Sequence, residues 1–394
     1  MKLALLLVSV AFSAAAFLAL DWFCTAAIQR HPKTAVKPNV CRARDPIRDH
    51  ALRPNCASTD QWGKDSYDYF TNSLGFRDEK IREVPLADAR PRILLLGDSF
   101  TEGMVAWRNS YVGMIAARFP QYDFLNGGLP GYSPSNYLNT TRIVLAKGFE
   151  IDEVIVFMDS SFVPHEGSFY RDVDPSGAVA AHKNQPLPNR SWYTRVRIFI
   201  ARHFLLVRSI LEFCDRFLVA HGYYHLTPGY FGDPFDMEMS AWTYRRVNET
   251  DPHPIGYAPL GVEGGIAKAK AKMTLLWQEL GERHIPISVV VYPHLPQIVH
   301  DSPESRQVRI WREWCEGRCK RFISVFPPFF AARSECPRTQ PGCWYQKLFI
   351  FGDFHFNAAG NALVADAVIK SLTEASAVKL QESPSPASGP HRSP

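Results

Sequence analysis

Three runs of continuous apolar residues constrain the fold of this chain more than any other feature. They cover residues 92–97, 153–158 and 286–292, and apolar side chains occupy successive positions in each. A strand with one solvated face alternates apolar and polar residues, whereas a strand buried on both faces does not need to. The runs therefore predict central strands of a parallel sheet. Two weaker runs, 123–126 and 322–326, bring the predicted sheet to five strands.

Helical patterns separate these runs, at 107–119, 134–147, 262–283, 303–320 and 357–374. Strands that alternate with helices are typical of α/β proteins with a doubly wound sheet.

The rest of the chain divides into segments of different composition. Residues 24–89 are polar and rich in Pro, Asn and Asp, which predicts an irregular lead-in. Residues 160–260 are rich in Pro and aromatic residues and hold one helical pattern near 192–220, which predicts an insertion or lid over the sheet. Residues 375–394 are rich in Ser and Pro, which predicts a disordered tail. We expect one folded domain over 90–374 rather than several domains.

The N-terminus carries an uncharged stretch of 18 residues, 3–20, between Lys2 and Asp21. Apolar stretches of this length predict a membrane anchor or a signal peptide, assigned here to residues 1–23. The alanines at 14–16 stand too early for a cleavage site at the end of the stretch. We favour an uncleaved anchor over a secreted, cleaved form. In both cases the bulk of the chain faces the periplasm or the cell exterior.

Charge and cysteine content fit that placement. The formal net charge is +5, from 44 basic and 39 acidic residues without a long basic block, so no nucleic-acid partner is expected. Eight cysteines favour disulfides in an oxidising compartment. Two sets stand close together in the sequence, namely Cys41 with Cys56, and Cys315, Cys319, Cys336 and Cys343. A zinc site from the second set is the weaker interpretation, because it contains no CxxC pair.

The segment 97–103, GDSFTEG, directly follows the first predicted strand. Open α/β sheets bind ligands beyond the carboxyl ends of their strands. A serine at such a strand-to-helix turn can expose its hydroxyl next to backbone N–H groups. These residues therefore make Ser99 a candidate nucleophile. The alternative is that Asp98 and Ser99 only cap the following helix.

A serine nucleophile needs a base, because a free hydroxyl reacts poorly at neutral pH. His355 is the candidate, since it follows an apolar run and precedes the last predicted helix. Asp353 stands two residues earlier and can orient the imidazole. The alternative is an Asx turn at the start of the final helix with a surface histidine.

Together these segments resemble the SGNH/GDSL hydrolases. Residues 97–103 are similar to block I of that family, and residues 353–355, DFH, to its final block. Between them, residues 126–134, NGGLPGYSP, are similar to block II. Residues 72–77, NSLGFR, are similar to a lead-in found in many bacterial, membrane-anchored members. The resemblance spans 90–372 and implies a flavodoxin-like, three-layer α/β/α sandwich with a mainly parallel five-stranded sheet.

The resemblance also implies roles for individual residues. Ser99 would be the nucleophile, His355 the base, and Asp353 the partner of that base. The backbone N–H groups of Ser99 and Gly131 would line the oxyanion hole.

Two departures from the family pattern matter. Asp353 lies two residues before the histidine rather than three, which resembles the SGNH-like polysaccharide O-acetyltransferases. Block III usually brings an Asn, whereas here the position falls on Met158 or Asp159, and an ionised carboxylate would repel an oxyanion. Ser160 is our candidate replacement donor. Ser161, or a hole with backbone donors alone, is the alternative.

These features predict an SGNH-type serine hydrolase that cleaves a carboxylic ester through an acyl-serine. The expected substrate is a small acyl ester, such as acetyl, on a cell-envelope carbohydrate. The first alternative is an O-acetyltransferase for an envelope polysaccharide, working with envelope acyl-transfer machinery. The second is a non-catalytic envelope or glycan-binding protein. We expect no cofactor and no metal.

Overall fold

The computed structural model of the protein describes residues 2–29, 39–63, 65–174, 177–181, 196, 199–200, 202–224, 238–247 and 256–382. The strands within these ranges are β1 Arg42–Asp45, β2 Asp49–Leu52, β3 Ala57–Trp62, β4 Asp65–Thr71, β5 Arg77–Asp78, β6 Arg92–Leu96, β7 Asp123–Asn126, β8 Glu153–Met158, β9 Tyr170–Asp172, β10 Val179–Ala181, β11 Ile287–Val291 and β12 Arg321–Ser324. The α-helices are α1 Lys2–Gln29, α2 Ser99–Glu102, α3 Tyr111–Arg118, α4 Pro134–Ala146, α5 Phe162–Pro164, α6 Leu205–Ala220, α7 Gly261–Gly281, α8 Leu295–His300, α9 Arg306–Cys315, α10 Phe326–Ser334, α11 Cys343–Leu348 and α12 Ala358–Glu382. Trp107–Asn109 and Glu238–Thr243 form 3₁₀ turns, and His165–Phe169 forms a π-helical turn.

The central sheet has eight strands in the order β12-β11-β8-β6-β7-β5-β4-β3. The five strands predicted from apolar runs form its parallel part, β12 to β7. This confirms the predicted fold class, an α/β fold around a mainly parallel sheet.

Helices cover both faces of the parallel part, and the strands alternate between the two resulting cores. In β6, Leu94 and Leu96 pack on one side with α4, α7 and α9, while Ile93 and Leu95 pack on the other with α3, α10 and α12. Neighbouring side chains of a strand point to opposite faces, so a three-layer α/β/α sandwich needs apolar residues at every position. The continuous runs in the sequence are the direct consequence.

The lead-in 24–89 is not irregular, which corrects that prediction. Strands β3, β4 and β5 extend the sheet with antiparallel pairings, and β5 joins β7 through Arg77 and Asn126. In β4 the buried Tyr67 and Tyr69 alternate with exposed Ser66 and Asp68. This period of two indicates a strand, but the surrounding Pro, Asn and Asp residues hid it.

Two other boundaries also differ from the predictions. The pattern at 303–320 becomes the shorter α9, because the chain turns at Glu316 after Cys315. Helix α12 continues to Glu382, past the predicted start of the disordered tail at 375, and residues 383–394 lie outside the described part. The helix predicted near 192–220 is described mainly as α6, while 192–195 lie outside the described residues.

The insertion 160–260 is only partly separate from the sandwich. Phe162 and Val163, just after β8, are buried in the same core as Met158 and pack on α7. The first residues of the insertion thus belong to the core of the sandwich.

Six cysteines form three disulfides, Cys41–Cys56, Cys315–Cys319 and Cys336–Cys343, with Cα–Cα distances of 5.6, 4.8 and 5.7 Å. The second and third pairs use the four cysteines that a zinc site would have required. Cys24 and Cys214 are free and exposed.

Helix α1 is long and apolar enough to cross a membrane over Leu5–Ile28. Its side chains are almost all exposed, which distinguishes it from a buried core helix of similar composition.

Candidate active site

Ser99 lies at the carboxyl edge of the sheet, where β6 ends and α2 begins. The side chain of Asp98 accepts a hydrogen bond from the Phe100 N–H at 2.9 Å and caps the helix. The two interpretations of the sequence therefore both apply, but to different residues. Asp98 caps the turn, and the Ser99 hydroxyl remains directed at a histidine.

That histidine is His355, which lies 256 positions further along the chain. Its Nε2 is 2.8 Å from Ser99 Oγ, and its Nδ1 is 2.6 Å from Asp353 Oδ1. The same carboxylate oxygen accepts the His355 backbone N–H at 2.8 Å. The two-residue spacing thus allows one oxygen to orient both the ring and the main chain of the base. The structure brings together all three predicted triad residues.

The loop that carries the base is held by Tyr345 on α11. The Tyr345 hydroxyl accepts the backbone N–H groups of Gly352 at 2.7 Å and Asp353 at 3.1 Å. Helix α12 is capped by Asn357, whose side chain accepts the Ala359 N–H at 2.9 Å. Because Asn357 performs the capping, His355 is free to face the serine, and it is buried rather than on the surface.

The electrostatics favour an ionised Asp353. Burial alone raises the pKa of this carboxyl, but the charge of His355 and its two hydrogen bonds outweigh burial and lower the pKa below the usual range. An ionised carboxylate stabilises the imidazolium that forms when a histidine accepts a proton.

Gly131 follows β7 and lines the same cavity as Ser99. Its φ of 74° lies in the left-handed region that favours glycine. The turn is fixed by buried Glu166, which accepts hydrogen bonds from Ser133 Oγ at 2.6 Å and Ser135 N at 2.7 Å. Lys268 Nζ lies 3.3 Å from the same carboxylate and balances its charge. No motif in the sequence indicates this support, because Glu166 lies in the insertion.

Ser160, the candidate side-chain donor, is not among the residues that line the cavity. Its carbonyl accepts the Trp242 indole N–H at 3.0 Å, so it lies on the side of the insertion. The neighbours Asp159 and Ser161 line the cavity instead.

Asp98 and Asp159 form a buried, hydrogen-bonded carboxyl pair beside Ser99. Burial, followed by the charge of Asp159, raises the pKa of Asp98 well above its usual range, although the Tyr292 hydroxyl donates to it at 2.8 Å. Burial raises the pKa of Asp159 to about 6, against hydrogen bonds from Ser161. At neutral pH, Asp98 therefore keeps a proton and donates it toward the Asp159 carboxylate.

The cavity has a volume of about 600 Å³. Its walls come from three parts of the chain. The lead-in supplies Arg42, His50, Ala51 and Trp62, the insertion supplies Ser161, His165 and Met239, and the sheet edge and the loop of His355 supply the rest. Sequence reasoning missed the lead-in residues, because no motif marks them.

Two buried histidines in the wall are neutral. Burial lowers the pKa of His294 to about 3 and the pKa of His165 to about 4. His294 ends the segment after β11 and packs 4.9 Å from the Phe354 ring, next to the base. Within the described ranges, no group of three or more His, Cys, Asp or Glu residues is arranged to hold a metal ion.

The lead-in also supports the turn that carries Ser99. Glu102, the acidic residue of the GDSFTEG motif, is buried and accepts the Tyr69 hydroxyl at 2.5 Å and Arg42 Nη2 at 2.9 Å. Arg77 donates to the backbone carbonyls of Glu102 at 2.6 Å and Val105 at 2.5 Å. The segment 97–103 is thus fixed at both ends.

Fold and site together define the class of scaffold, an α/β/α sandwich with a Ser-His-Asp arrangement at the carboxyl edge of its sheet. No protein-family model matches the chain, and no curated protein matches it. Similar solved structures include an alpha/beta hydrolase enzyme from the metagenome of Lake Arreo, at 12% identity over 73% of this chain and 97% of that one, with a TM-score of 0.37.

Two further solved structures are similar at the same level. A member of the lipolytic protein G-D-S-L family from Veillonella parvula has 11% identity over 72% of this chain and 98% of that one, with a TM-score of 0.36. An acetylxylan esterase from Geobacillus stearothermophilus, solved as a catalytic mutant, has 12% identity over 73% and 96%, with a TM-score of 0.37.

Proposed function

We propose that the protein is a serine ester hydrolase with Ser99 as nucleophile, His355 as general base and Asp353 as its partner. The observation that carries the proposal is the continuous hydrogen-bonded chain from Ser99 Oγ through both ring nitrogens of His355 to a buried carboxylate. A helix cap requires no such chain, since Asp98 already satisfies the turn.

In the proposed reaction, Ser99 Oγ attacks the ester carbonyl carbon while His355 Nε2 takes its proton. The tetrahedral intermediate collapses as the protonated histidine gives that proton to the leaving alcohol, which leaves an acyl-serine. A water molecule then attacks the acyl carbon while His355 takes its proton. The bond between Ser99 Oγ and the acyl carbon breaks, the carboxylic acid is released, and His355 returns the proton to Ser99 Oγ.

The oxyanion hole is proposed to consist of the backbone N–H groups of Ser99 and Gly131. In this scheme no side chain takes the donor role predicted for Ser160. Asp159 lines the cavity instead, and its carboxylate, ionised at neutral pH, cannot donate a hydrogen bond. The loss of one donor typically costs about 10²–10³ in rate. We therefore expect a modest esterase at neutral pH.

The substrate is proposed to be a small acyl ester, such as acetyl, on a cell-envelope carbohydrate. The cavity of about 600 Å³ is of the size that holds a small ligand. Helix α1 and the three disulfides support a membrane-anchored protein that faces the periplasm or the cell exterior. Acyl transfer to a sugar hydroxyl is the second candidate, favoured by the two-residue spacing between Asp353 and His355.

Covalent labelling of the full chain with a fluorophosphonate tests the nucleophile. We expect label on Ser99, none in Ser99→Ala and less in His355→Ala. Ser66→Ala removes an exposed serine outside the triad and is the control that should label fully. A folded protein that takes up no label would contradict the proposal and favour a non-catalytic binding role.

Partitioning of the acyl group distinguishes the two chemistries. The protein is incubated with an acetyl ester, with and without glycan acceptors, and free acetate is compared with acetylated sugar. Hydrolysis predicts acetate release that acceptors do not divert. Diversion of most of the acetyl group to the glycan would instead assign the transferase.

A further inference from the structure

Helix α6 in the insertion has its apolar and polar faces reversed relative to a normal surface helix. Its exposed face carries Leu206, Ile210, Phe213 and Phe217, at the spacing of one helical stripe, and Phe213 is 72% exposed. Ser209 and Cys214 flank the stripe and are also exposed. The fully exposed residues of α6 are therefore all uncharged.

The opposite face of α6 packs on the protein and carries acidic residues. Glu212 and Asp215 are buried, and Glu212 pairs with Arg216 at 3.0 Å. The Arg216 guanidinium lies 4.1 Å from the centre of the Phe351 ring. The backbone carbonyl of Arg216 accepts a hydrogen bond from Gln346 Nε2 at 2.9 Å. These contacts fix α6 to α11 and to the loop that carries the catalytic histidine, so the outward direction of the stripe is set by the fold.

The first turn of α6 is held by the N-terminal helix. Asp21 on α1 accepts the N–H groups of Leu206 and Val207 through its two carboxylate oxygens, both at 3.0 Å. Thr25 Oγ1 accepts the Leu205 N–H at 2.9 Å. Both α1 side chains are buried by this contact. The N-cap residue Phe204 makes no side-chain capping bond, so the acidic residue that ends the uncharged stretch of the sequence caps the N-terminus of α6 from a neighbouring helix.

The contact lies at the level where a membrane span would end. The 24 residues of Leu5–Ile28 rise about 36 Å as a helix, against a hydrocarbon thickness of about 30 Å. Trp22 and Phe23 are exposed beside Asp21, and aromatic residues concentrate at the membrane–water interface. Helix α6 therefore starts at the interface if α1 spans.

We propose that the stripe Leu206, Ile210, Phe213 and Phe217 lies in the outer surface of the same bilayer that α1 crosses. The inference rests on the membrane placement proposed above, not on the esterase activity. An apolar helix face next to a span enters the acyl boundary of the bilayer, because burial there removes its apolar surface from water. The bilayer is favoured over a second copy of the chain, because α1 holds the start of the stripe at the lipid surface.

This second contact would fix the orientation of the active site. A single span leaves a domain free to rotate and tilt, whereas a span and an interfacial helix define a plane. Since α6 is bound to α11, which precedes Asp353 and His355, the cavity is held at a constant height and angle above the membrane. Such a geometry suits an acylated carbohydrate that is presented at the membrane surface.

Spin labelling of the full chain in nanodiscs of phosphatidylethanolamine and phosphatidylglycerol tests the proposal. Cys24→Ser and Cys214→Ser remove the two free thiols, and the other six cysteines are paired. Single cysteines are then placed by Leu206→Cys or Phe213→Cys and labelled with a nitroxide. Leu275→Cys is the matched control, an exposed leucine on helix α7 of the sandwich.

The readout is the ratio of relaxation by oxygen, which concentrates in lipid, to relaxation by a water-soluble nickel chelate. We expect this ratio to be at least threefold higher at 206 and 213 than at 275. Mass spectrometry verifies that α1 is retained, and melting temperatures verify folding. Equal ratios at the three positions would overturn the proposal, as would spin–spin broadening between two copies at 213. The readout does not depend on activity, so a failed esterase assay leaves it intact.

Discussion

The two halves of the central sheet contribute different kinds of residues to the site. The parallel half, β12 to β7, places Ser99 at its carboxyl edge, and its covering helices bring Asp353 and His355 to it. The antiparallel half, β5 to β3, contributes no residue to the triad. Instead it supplies supports, with Tyr69 bonded to Glu102 and Trp62 edge-on to His355 at 5.3 Å. Ser99 lies where a parallel strand ends and His355 lies in the loop before α12, whereas the groups that support them come from the antiparallel extension of the sheet.

The largest effect is expected in the parallel half. Ser99→Ala and His355→Ala should each lower kcat/KM for an acetyl ester by about 10³-fold or more, because the nucleophile and base act as a unit. Hydrolysis of p-nitrophenyl acetate measures this. Ser66→Ala in the antiparallel half should retain the wild-type rate. A similar loss in all three variants would mean that the measured rate does not come from this site.

In the antiparallel half, the effect should appear as stability. Tyr69→Phe removes the hydroxyl that donates to the buried Glu102 carboxylate, which should cost about 1.5–3 kcal/mol in the free energy of unfolding. Urea denaturation measures the change. Tyr67→Phe is the matched control on the same strand, since the buried Tyr67 hydroxyl has no hydrogen-bond partner among the described residues. Equal losses in both variants would show that the bond to Glu102 is not what stabilises the turn.

The carboxyl pair predicts a pH dependence of stability. Burial raises the pKa of Asp159 from 3.8 to about 6, so the folded protein binds more protons than the unfolded one within that window. The free energy of unfolding then falls as the pH rises from 4 to 6. Asp159→Asn has no such proton to lose. The melting temperature of the variant minus that of the wild type should therefore increase from pH 4 to pH 7. A difference that stays constant with pH would contradict the shared proton.

The same substitution should change the chemistry. Asp159→Asn removes the negative charge beside the proposed oxyanion hole. We expect kcat at pH 7.5 to rise by about tenfold, which is less than the rate factor of about 10²–10³ that one oxyanion-hole donor typically contributes. Asp159→Ala removes the charge but offers no N–H group. Equal rates for the two variants would mean that charge removal alone is responsible, whereas a fall in both would overturn the proposed position of the oxyanion.

The smallest effect is expected at Trp62. Trp62→Phe keeps an aromatic ring, but the smaller ring weakens the edge contact with His355. Aromatic pairs contribute about 0.5–1.5 kcal/mol. We expect kcat/KM to fall about two- to tenfold with little change in melting temperature. A loss as large as that of His355→Ala would place Trp62 with the catalytic residues and not with the supports.

The parallel half of the sheet was predictable and the antiparallel half was not. A strand covered on both faces must be apolar at successive positions, and few other structures produce the runs of β6, β8 and β11. Strand β4 is covered on one face only, so its signal is a short alternation among polar residues. Helix α12 is longer than predicted, because no helix stop signal in the sequence marks where it ends.

The triad residues were identifiable because each stands in a short motif whose local geometry is set by neighbours in the chain. Asp353 is two residues from His355, and Ser99 directly follows its capping aspartate. Glu166 and Trp62 carry no such motif. They reach the site from the insertion and the lead-in, and only a complete fold shows which of many similar residues do so.

The sequence by itself determined the α/β class, the five parallel strands, the anchor-length apolar stretch and the three residues Ser99, Asp353 and His355 as candidates. These depend on periodicity and on contacts between near neighbours in the chain, which local patterns record. The tertiary structure decided that Asp159 and not Ser160 faces the cavity, that Asp98 shares its proton, and that Asp21 caps α6. Those outcomes depend on which distant surfaces meet and on the desolvation that follows, and neither is encoded in any one segment.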